Sequence, residues 1–500
     1  MSADRLGDGG PAGALLSRRA FFAGLLIVIA VYYLFLLSNG TFELFAPELF
    51  GRVFDNMLVH LLHGEFTVDR SVVDFEAFTR NGKTYSYFGV FPALLRLVAM
   101  PFTNVATAEL ARVSCLTATV TFVALQLRML LIADNSLTPA RRVPGLLTIM
   151  AAATVLSGPQ LYILGTADVY LEPILWSAAM AAAFNVIVLR AALGEGGLRS
   201  RDLVSMAVLA GLAINTRPTI GVALYLGTVL LVTWTAWCRH GGERRLSANP
   251  GRLRTAIAAL LRDPSVSLPI IVLGLLGVAV SVVNFERWGN PLTFGDFHYN
   301  YWIKHNPTRL AVLENYGEFN LGRIWIGALY YATGIPYVLK SVPPFDAFLR
   351  ARFVTIEAPP VVPLLTNPLT ILLAGIGFYR LWTMPQLAAN SVAMLRLALV
   401  GHASAVLLIF ASSGLALRYR LDLAPFTTLA AFVGYRYASI TAAESSDTGR
   451  KRMRLAAIGL CALGILCSHY VLLIHKVWSI GSPMEVRRTL SVFAPFAFKP

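Results

Sequence analysis

The sequence predicts an all-α, polytopic membrane protein of roughly 11 transmembrane helices, with two large outer loops bearing interfacial helices. Three observations predict it. Apolar runs recur along the 500 residues, at 20–38, 113–132, 173–193, 220–237, 268–283 and 455–474 among others. Each approaches the roughly 20 residues that a helix rising about 1.5 Å per residue needs to cross the hydrocarbon. The chain is 56% hydrophobic and 14% charged, with a mean hydropathy of +0.64, whereas soluble proteins carry about 25% charged residues. Arg and Lys cluster between alternate pairs of runs, at Arg18/Arg19, Arg141/Arg142, 239–262 and 450–454. That clustering marks the cytoplasmic face.

With the N-terminus inside, the first run delivers the chain outward near Asn39. Ser17-Arg18-Arg19-Ala20-Phe21-Phe22 imitates a twin-arginine export signal. The run behind it is long and aromatic, and no small-x-small cleavage site follows, so an uncleaved first helix is expected. The outer segment 39–107 carries an amphipathic stretch, 49–63, with Phe50, Val53, Phe54, Met57, Leu58, Leu61 and Leu62 at helical spacing. That pattern suits a helix lying in the interface. A turn at Gly64, a polar stretch and a short apolar helix near 92–100 follow. The chain then crosses to Arg141/Arg142, returns to Ala167-Asp168, crosses to Arg199/Arg201, and rises through a helix broken at Arg217-Pro218.

The next crossing ends in the most basic inner loop, with Arg239, Arg244, Arg245, Arg252, Arg254 and Arg262. The run 268–283 leads to a second outer segment, 284–362, rich in aromatics and Pro. Three or four further crossings complete the chain, with the C-terminus outside. The expected organisation is a cytoplasmic N-terminus (1–19), one transmembrane domain (20–475) with outer loops 39–107 and 284–362, and an outer tail (476–500). No matched halves are visible, which weakens a secondary-transporter reading.

A formal charge of +15 would suggest nucleic-acid binding in a soluble chain. Here the excess lies mostly in short inner loops, where it sets orientation and meets anionic lipid. Membrane lipids, and no nucleic acid, are the partners this charge implies. The acids are distributed differently. Of 27, nine fall on the cytoplasmic side (Asp4, Asp8, Asp134, Glu195, Asp202, Glu243, Asp263, Glu444, Asp447) and 18 in outer loops or at outer helix ends. Acids contribute little to insertion, so a carboxylate-rich outer surface asks for a function. Cys115, Cys238, Cys461 and Cys467 sit in or beside apolar runs and read as small packed hydrophobes. His60 and His63 lack partners at ligand spacing, so no metal is expected, and no cofactor.

Four outer clusters carry the candidate chemistry. Pro47-Glu48 precedes Asp55 by a few residues. Asp74-Phe75-Glu76 precedes Tyr85 and Tyr87. Asp168 and Glu172, four apart, are expected on one helical face at a membrane boundary. The fourth is basic: Arg217 in Asn215-Thr216-Arg217-Pro218, with Arg418-Tyr419-Arg420-Leu421-Asp422. Charges at membrane depth are costly, which makes Asp168, Glu172, Arg217 and Arg418 functional candidates. Against that, Arg217 and Asp422 could be ion-pair partners, and Glu76 and Glu65 read as solvated loop acids. Carboxylates at the mouth of an outer cavity, with arginines deeper, suit displacement at a phosphorylated carbon. One carboxylate deprotonates an acceptor hydroxyl, and Arg forks hold the leaving phosphate. No Gly-rich nucleotide loop or paired metal-acid motif supports a nucleotide-sugar donor.

These motifs resemble those of the polytopic C-type glycosyltransferases, which use polyprenyl-phosphate-linked sugars. Pro47-Glu48 followed by a helix ending at His63-Gly64 looks like their first-loop acidic motif, with Glu where many members have Asp. The stretch Asn81-Gly82-Lys83-Thr84-Tyr85-Ser86-Tyr87-Phe88-Gly89-Val90-Phe91-Pro92 resembles Gly-x-Tyr-Tyr-x-x-x-Pro-Pro with one proline missing. Asn215-Thr216-Arg217-Pro218, Asn284-Phe285-Glu286-Arg287-Trp288-Gly289-Asn290-Pro291 and Arg418-Tyr419-x-x-Asp422-x-x-Pro425 are similar to later family motifs, the last beside the donor phosphate.

The resemblance implies a glycosyltransferase, hexosyl or pentosyl, in the bacterial inner (plasma) membrane with its active site facing the periplasm. It would move a sugar from a polyprenyl-phosphate donor to a cell-envelope glycan, lipid or protein acceptor. The implied base is Glu48, Asp55, Asp74 or Asp168. Tyr85, Tyr87, Glu172, Arg217, Arg418, Arg420 and Asp422 are the implied substrate-binding residues. Two other readings stay open: a lipid-linked glycan transporter or flippase, and a noncatalytic envelope-polysaccharide assembly protein.

Overall fold

The structure, a computed structural model, describes residues 11–194, 196–239, 263–384, 386–478 and Met484. The basic loop from Arg244 to Arg262, most of the tail 476–500, and Asp4, Asp8, Glu195 and Glu243 lie outside the described residues. Helix α1 (Pro11–Leu37) leads to the short α2 (Val53–Leu62). Then come α3 (Ala111–Asn135), α4 (Leu146–Leu156, resumed at Pro159–Ile163), α5 (Leu171–Leu193), α6 (Ser200–Ile214) and α7 (Pro218–Arg239). The last are α8 (Pro264–Trp288), α9 (Pro368–Thr383), α10 (Ala389–Ala411), α11 (Arg420–Ala443) and α12 (Asp447–Trp478).

Among the described residues seven helices are long and apolar enough to cross a membrane: α3, the α4 pair, α5, α7, α8, α10 and α12. The chain is an integral membrane protein. Helices α1, α6, α9 and α11 complete the eleven-helix order expected from the sequence, and the last three depart from a long apolar run for a visible reason. Helices α6 and α9 have only 15 and 16 residues, and α11 carries Arg420, Asp422 and Arg436. All three pack into the bundle, α9 against α11 and α6 against α7 and α8. Close approach there needs small residues: Gly377 faces Gly434, with no room for a side-chain carbon on either. One core fills the bundle, with Tyr33, Phe122, Phe184 and Phe432 almost fully buried.

The helices alternate in direction. At one end of α11, Asp422 meets Arg217, just before α7. At the other, Tyr435 donates to Asp134 at 2.7 Å and Arg436 to Ser136 at 3.2 Å, both at the end of α3. The two long loops gather at the Asp422 end. In the first loop, β1 (Phe78–Arg80) and β2 (Lys83–Tyr85) form an antiparallel hairpin. Its turn is Asn81-Gly82, both with positive φ (52° and 74°), the pairing that suits a two-residue hairpin. Phe78 bridges to Asn300 of the second loop. The second loop returns as β3 (Thr355–Ile356), parallel to β4 (Gly414–Leu415) just ahead of α11.

Two expectations need correction. Asp168 and Glu172 do not share a helical face, because α5 starts only at Leu171. Asp168 instead accepts the Tyr170 N–H at 2.9 Å in the turn before the helix, which aims the two carboxylates apart. Asp55 does not share a helix with Glu48, since the chain from 49 to 52 makes turns and α2 begins at Val53. The α2 apolar face packs Val53, Phe54, Met57 and Leu58 into a second core with Phe88 and Val169.

Candidate functional site

Where the two loops meet the bundle they enclose a cavity of about 310 Å³. Its walls come from the first loop (Glu76, Tyr87, Phe88, Gly89), the α5 entry (Tyr170), the α6–α7 break (Thr216, Arg217), the second loop (Trp302, Arg309, Glu318) and the α10–α11 link (Ser413, Arg418, Tyr419). Gly89 locks the first loop to the break. A side-chain carbon there would lie 2.1 Å from the Asn215 carbonyl, which also accepts the Phe91 N–H at 3.0 Å. Two of the sequence motifs thus meet through backbone alone.

Two of the three cavity arginines, Arg217 and Arg418, are held by carboxylates. Arg217 gives Nε and Nη2 to Asp422 at 2.5 and 2.6 Å. Arg418 gives Nη1 to Glu357 at 2.8 Å, and Glu357 also accepts the Leu417 N–H at 2.9 Å. The guanidinium carbons lie 4.9 and 5.3 Å from the Tyr419 ring centroid, so one ring spaces the two cations. Arg418 also lies 5.2 Å from the Tyr170 ring. Each arginine keeps an N–H group that these pairs do not use. Delocalised cations of this kind suit a phosphate.

Two carboxylates line the cavity. Burial raises the Glu76 pKa above the ordinary carboxylate value, and the Tyr170 hydroxyl and the charges of Arg418 and Arg309 oppose that rise. Glu318 is near Arg323 instead. Arg309 in turn stacks 4.3 Å from the Trp302 ring centroid. Aromatic rings at Tyr87, Phe294, Phe297 and Trp302 make much of the remaining wall.

The structure brings Tyr87, Arg217 and Arg418 to this cavity, with Asp422 behind Arg217. It places the other candidates elsewhere. Glu48 is paired with Arg112 at 2.6 Å, its side chain 5% exposed. Asp55 accepts from Arg96 Nε at 2.8 Å; the other face of that guanidinium holds Glu172 bidentately, and Ser114 also donates to Glu172. Asp74 is exposed, with φ 40°. Tyr85 is buried against Trp288 and Phe78. Asp168 is buried beneath Tyr170, within reach of the Arg418 charge, and burial pushes its carboxyl up to about 6. Arg420 faces a different cavity.

Glu76 and Arg309, which line the cavity, and Glu357, which holds Arg418, were not among the candidates of the sequence reading, which took Glu76 for a solvated loop acid. Glu76 had a local signal. Asn-Gly between Phe78-Thr79-Arg80 and Lys83-Thr84-Tyr85 is a hairpin signature, and a hairpin fixes the direction in which the residues before it point. Glu357 and Arg309 had none, because their partners come from distant segments.

No family model matches the chain, and no curated protein matches it. Solved structures do. ArnT from Cupriavidus metallidurans bound to undecaprenyl phosphate is 14% identical with a TM-score of 0.44, over 91% of this chain and 76% of that one. The archaeal oligosaccharyltransferase AglB from Archaeoglobus fulgidus, in complex with an inhibitory peptide and a dolichol-phosphate, is 12% identical with a TM-score of 0.46. That match covers 96% of this chain and 60% of AglB. At such scores the likenesses assign this chain neither an activity nor a ligand.

Proposed function

We propose that this protein is a C-type membrane glycosyltransferase, moving a sugar from a polyprenyl-phosphate-linked donor to a cell-envelope glycan, lipid or protein acceptor. The observation that carries the reading is the cavity itself, lined by two carboxylate-anchored arginines and by Glu76, which has no arginine ion pair among the described residues. Arg217 and Arg418 take the donor phosphate with the N–H groups left over from Asp422 and Glu357. Their carboxylate partners fix the guanidinium planes in advance, so little reorganisation accompanies charge development on the leaving group.

Glu76 is the general base. It removes the proton of the acceptor hydroxyl as that oxygen bonds to the anomeric carbon. The carbon–oxygen bond to phosphate breaks, its electron pair stays on the phosphate, and the configuration inverts. The Tyr170 hydroxyl favours the charged form of Glu76, and burial outweighs it and raises the pKa. The acidic limb of the activity profile therefore lies above the ordinary carboxylate value. Asp168, beneath Tyr170, is the next candidate. The aromatic wall gives apolar faces on which a sugar ring stacks.

In this reading the cavity opens on the outer face of a bacterial inner membrane, and 39–107 and 284–362 are the outer loops. The test is transfer from a lipid-linked donor by the purified protein, with Glu76→Gln, Arg217→Lys and Arg418→Lys as variants. Retained donor binding with lost turnover in Glu76→Gln supports the assignment, and full turnover in all three removes it.

A further inference from the structure

Arg420 opens α11 two residues after Arg418, yet it lines a second cavity of about 150 Å³ that shares no wall residue with the first. The residue is 7% exposed. Its Nη2 donates to the Pro363 carbonyl at 2.5 Å and to Asn367 Oδ1 at 3.5 Å, both uncharged. Unlike Arg217 and Arg418, it has no carboxylate partner among the described residues. Tyr331 also lines this cavity.

A buried, uncompensated guanidinium is strongly unfavourable at this depth in a helix bundle. The cavity it faces is polar on one side, through Gln126, Thr154, Asn367 and Thr370, and apolar on the other, through Ile371 and Phe432. Thr154 already gives its proton to a helix carbonyl, at 2.8 Å. It can only accept, and so suits a ligand that carries a proton or hydroxyl beside its charge. We propose that this cavity is a second anion site, taking a phosphate monoester: Arg420 binds the phosphate, and the apolar wall takes the first carbons of its chain. The inference stands apart from the transfer reaction, because it follows from an unpaired charge outside the first cavity.

The test uses the full-length protein in nanodiscs of zwitterionic lipid and counts bound phosphate by native mass spectrometry. Inorganic phosphate and farnesyl phosphate are the two probes. Arg420→Gln is expected to lose one equivalent, or to weaken it about tenfold or more, whatever the first cavity holds. Arg418→Gln is expected to keep that equivalent. Uptake of both probes means that the site reads free and esterified phosphate alike, and uptake of farnesyl phosphate alone means a lipid headgroup. Either supports the site. Should Arg420→Gln fail to fold, Thr428→Leu narrows the same cavity without touching the charge, and is expected to lower occupancy. A wild-type protein that takes up neither probe overturns the proposal. So does wild-type stoichiometry in each of these two cavity variants that folds.

Discussion

Arg217 and Asp422 lie 205 residues apart and meet through two hydrogen bonds, from Nε at 2.5 Å and Nη2 at 2.6 Å. The Asp422 side chain is fully buried and that of Arg217 is 18% exposed. The contact ties the entry of α7 to the first turn of α11 and turns the remaining Nη1 group to the cavity. A carboxylate so placed does two things: it offsets a cation at membrane depth, and it sets the plane of the guanidinium fork proposed to take the phosphate.

Breaking that pair from either side should give different results. Asp422→Asn leaves a buried cation without its partner and is expected to destabilise the fold by about 3 to 5 kcal/mol, read as a lower midpoint of thermal unfolding in detergent. Arg217→Lys keeps the charge and loses the fork. It is expected to fold, while turnover falls about 10²-fold. Wild-type turnover in Arg217→Lys would remove Arg217 from phosphate binding.

The Arg96 cluster should act on stability and not on chemistry. Arg96, Asp55 and Glu172 are 2%, 1% and 1% exposed, and their oxygens and nitrogens are spent on one another and on Ser114. Glu172→Gln and Asp55→Asn are expected to lower folded yield and to cost about 3 kcal/mol each, with turnover per folded molecule unchanged. Normal stability with lost turnover in Asp55→Asn would return Asp55 to the list of bases.

Asp168 should make stability depend on pH. Burial raises its carboxyl from 3.8 to about 6, so the folded state holds the proton more tightly than the unfolded chain. The resulting stability is fully present below about pH 4 and is lost as pH rises through about 6. Relative to Asp168→Asn, wild type is expected to lose on the order of 2 kcal/mol across that window and to stay level above it. Parallel unfolding midpoints for the two proteins from pH 4 to 7 would contradict the assignment.

Much of the fold was legible because crossing a membrane constrains length and apolarity strongly. The run at 220–237 became Pro218–Arg239, and 268–283 became Pro264–Trp288; polar end residues continued the helix where apolar counting stopped. The break at Arg217-Pro218 was readable from proline, which begins helices but cannot sit inside one without loss of a hydrogen bond. The carboxylates were less legible. Glu48 occupies the position that the family resemblance favours, yet Arg112 holds it, and Glu76, which reads as a solvated acid, reaches the cavity because a hairpin turns it there. Which acid faces which arginine depends on loops 200 residues apart, and neither period nor spacing encodes that. Arg420, one residue from Tyr419, shows the same limit: the turn of the helix carries neighbours in sequence into separate cavities.

The orientation is testable without any substrate. Basic residues cluster at Arg18/Arg19, Arg141/Arg142 and 450–454, the pattern expected of inner loops. Reporter fusions at position 248 and position 310 are expected to read cytoplasmic and outer, respectively. The opposite pattern would turn the cavity to the cytoplasm and exclude an outer acceptor.

The central claim is that Glu76 drives sugar transfer in a cavity where Arg217 and Arg418 hold a lipid phosphate. The most direct test takes the lipid-linked sugar that accumulates in cells lacking the protein and follows its cleavage by purified wild type and Glu76→Gln. Wild type is expected to release polyprenyl phosphate and transfer the sugar. Glu76→Gln is expected to bind the donor as well and turn it over about 10²- to 10⁴-fold more slowly. Wild-type turnover in Glu76→Gln, or a wild-type protein that carries the donor across a vesicle membrane uncleaved, would contradict the claim.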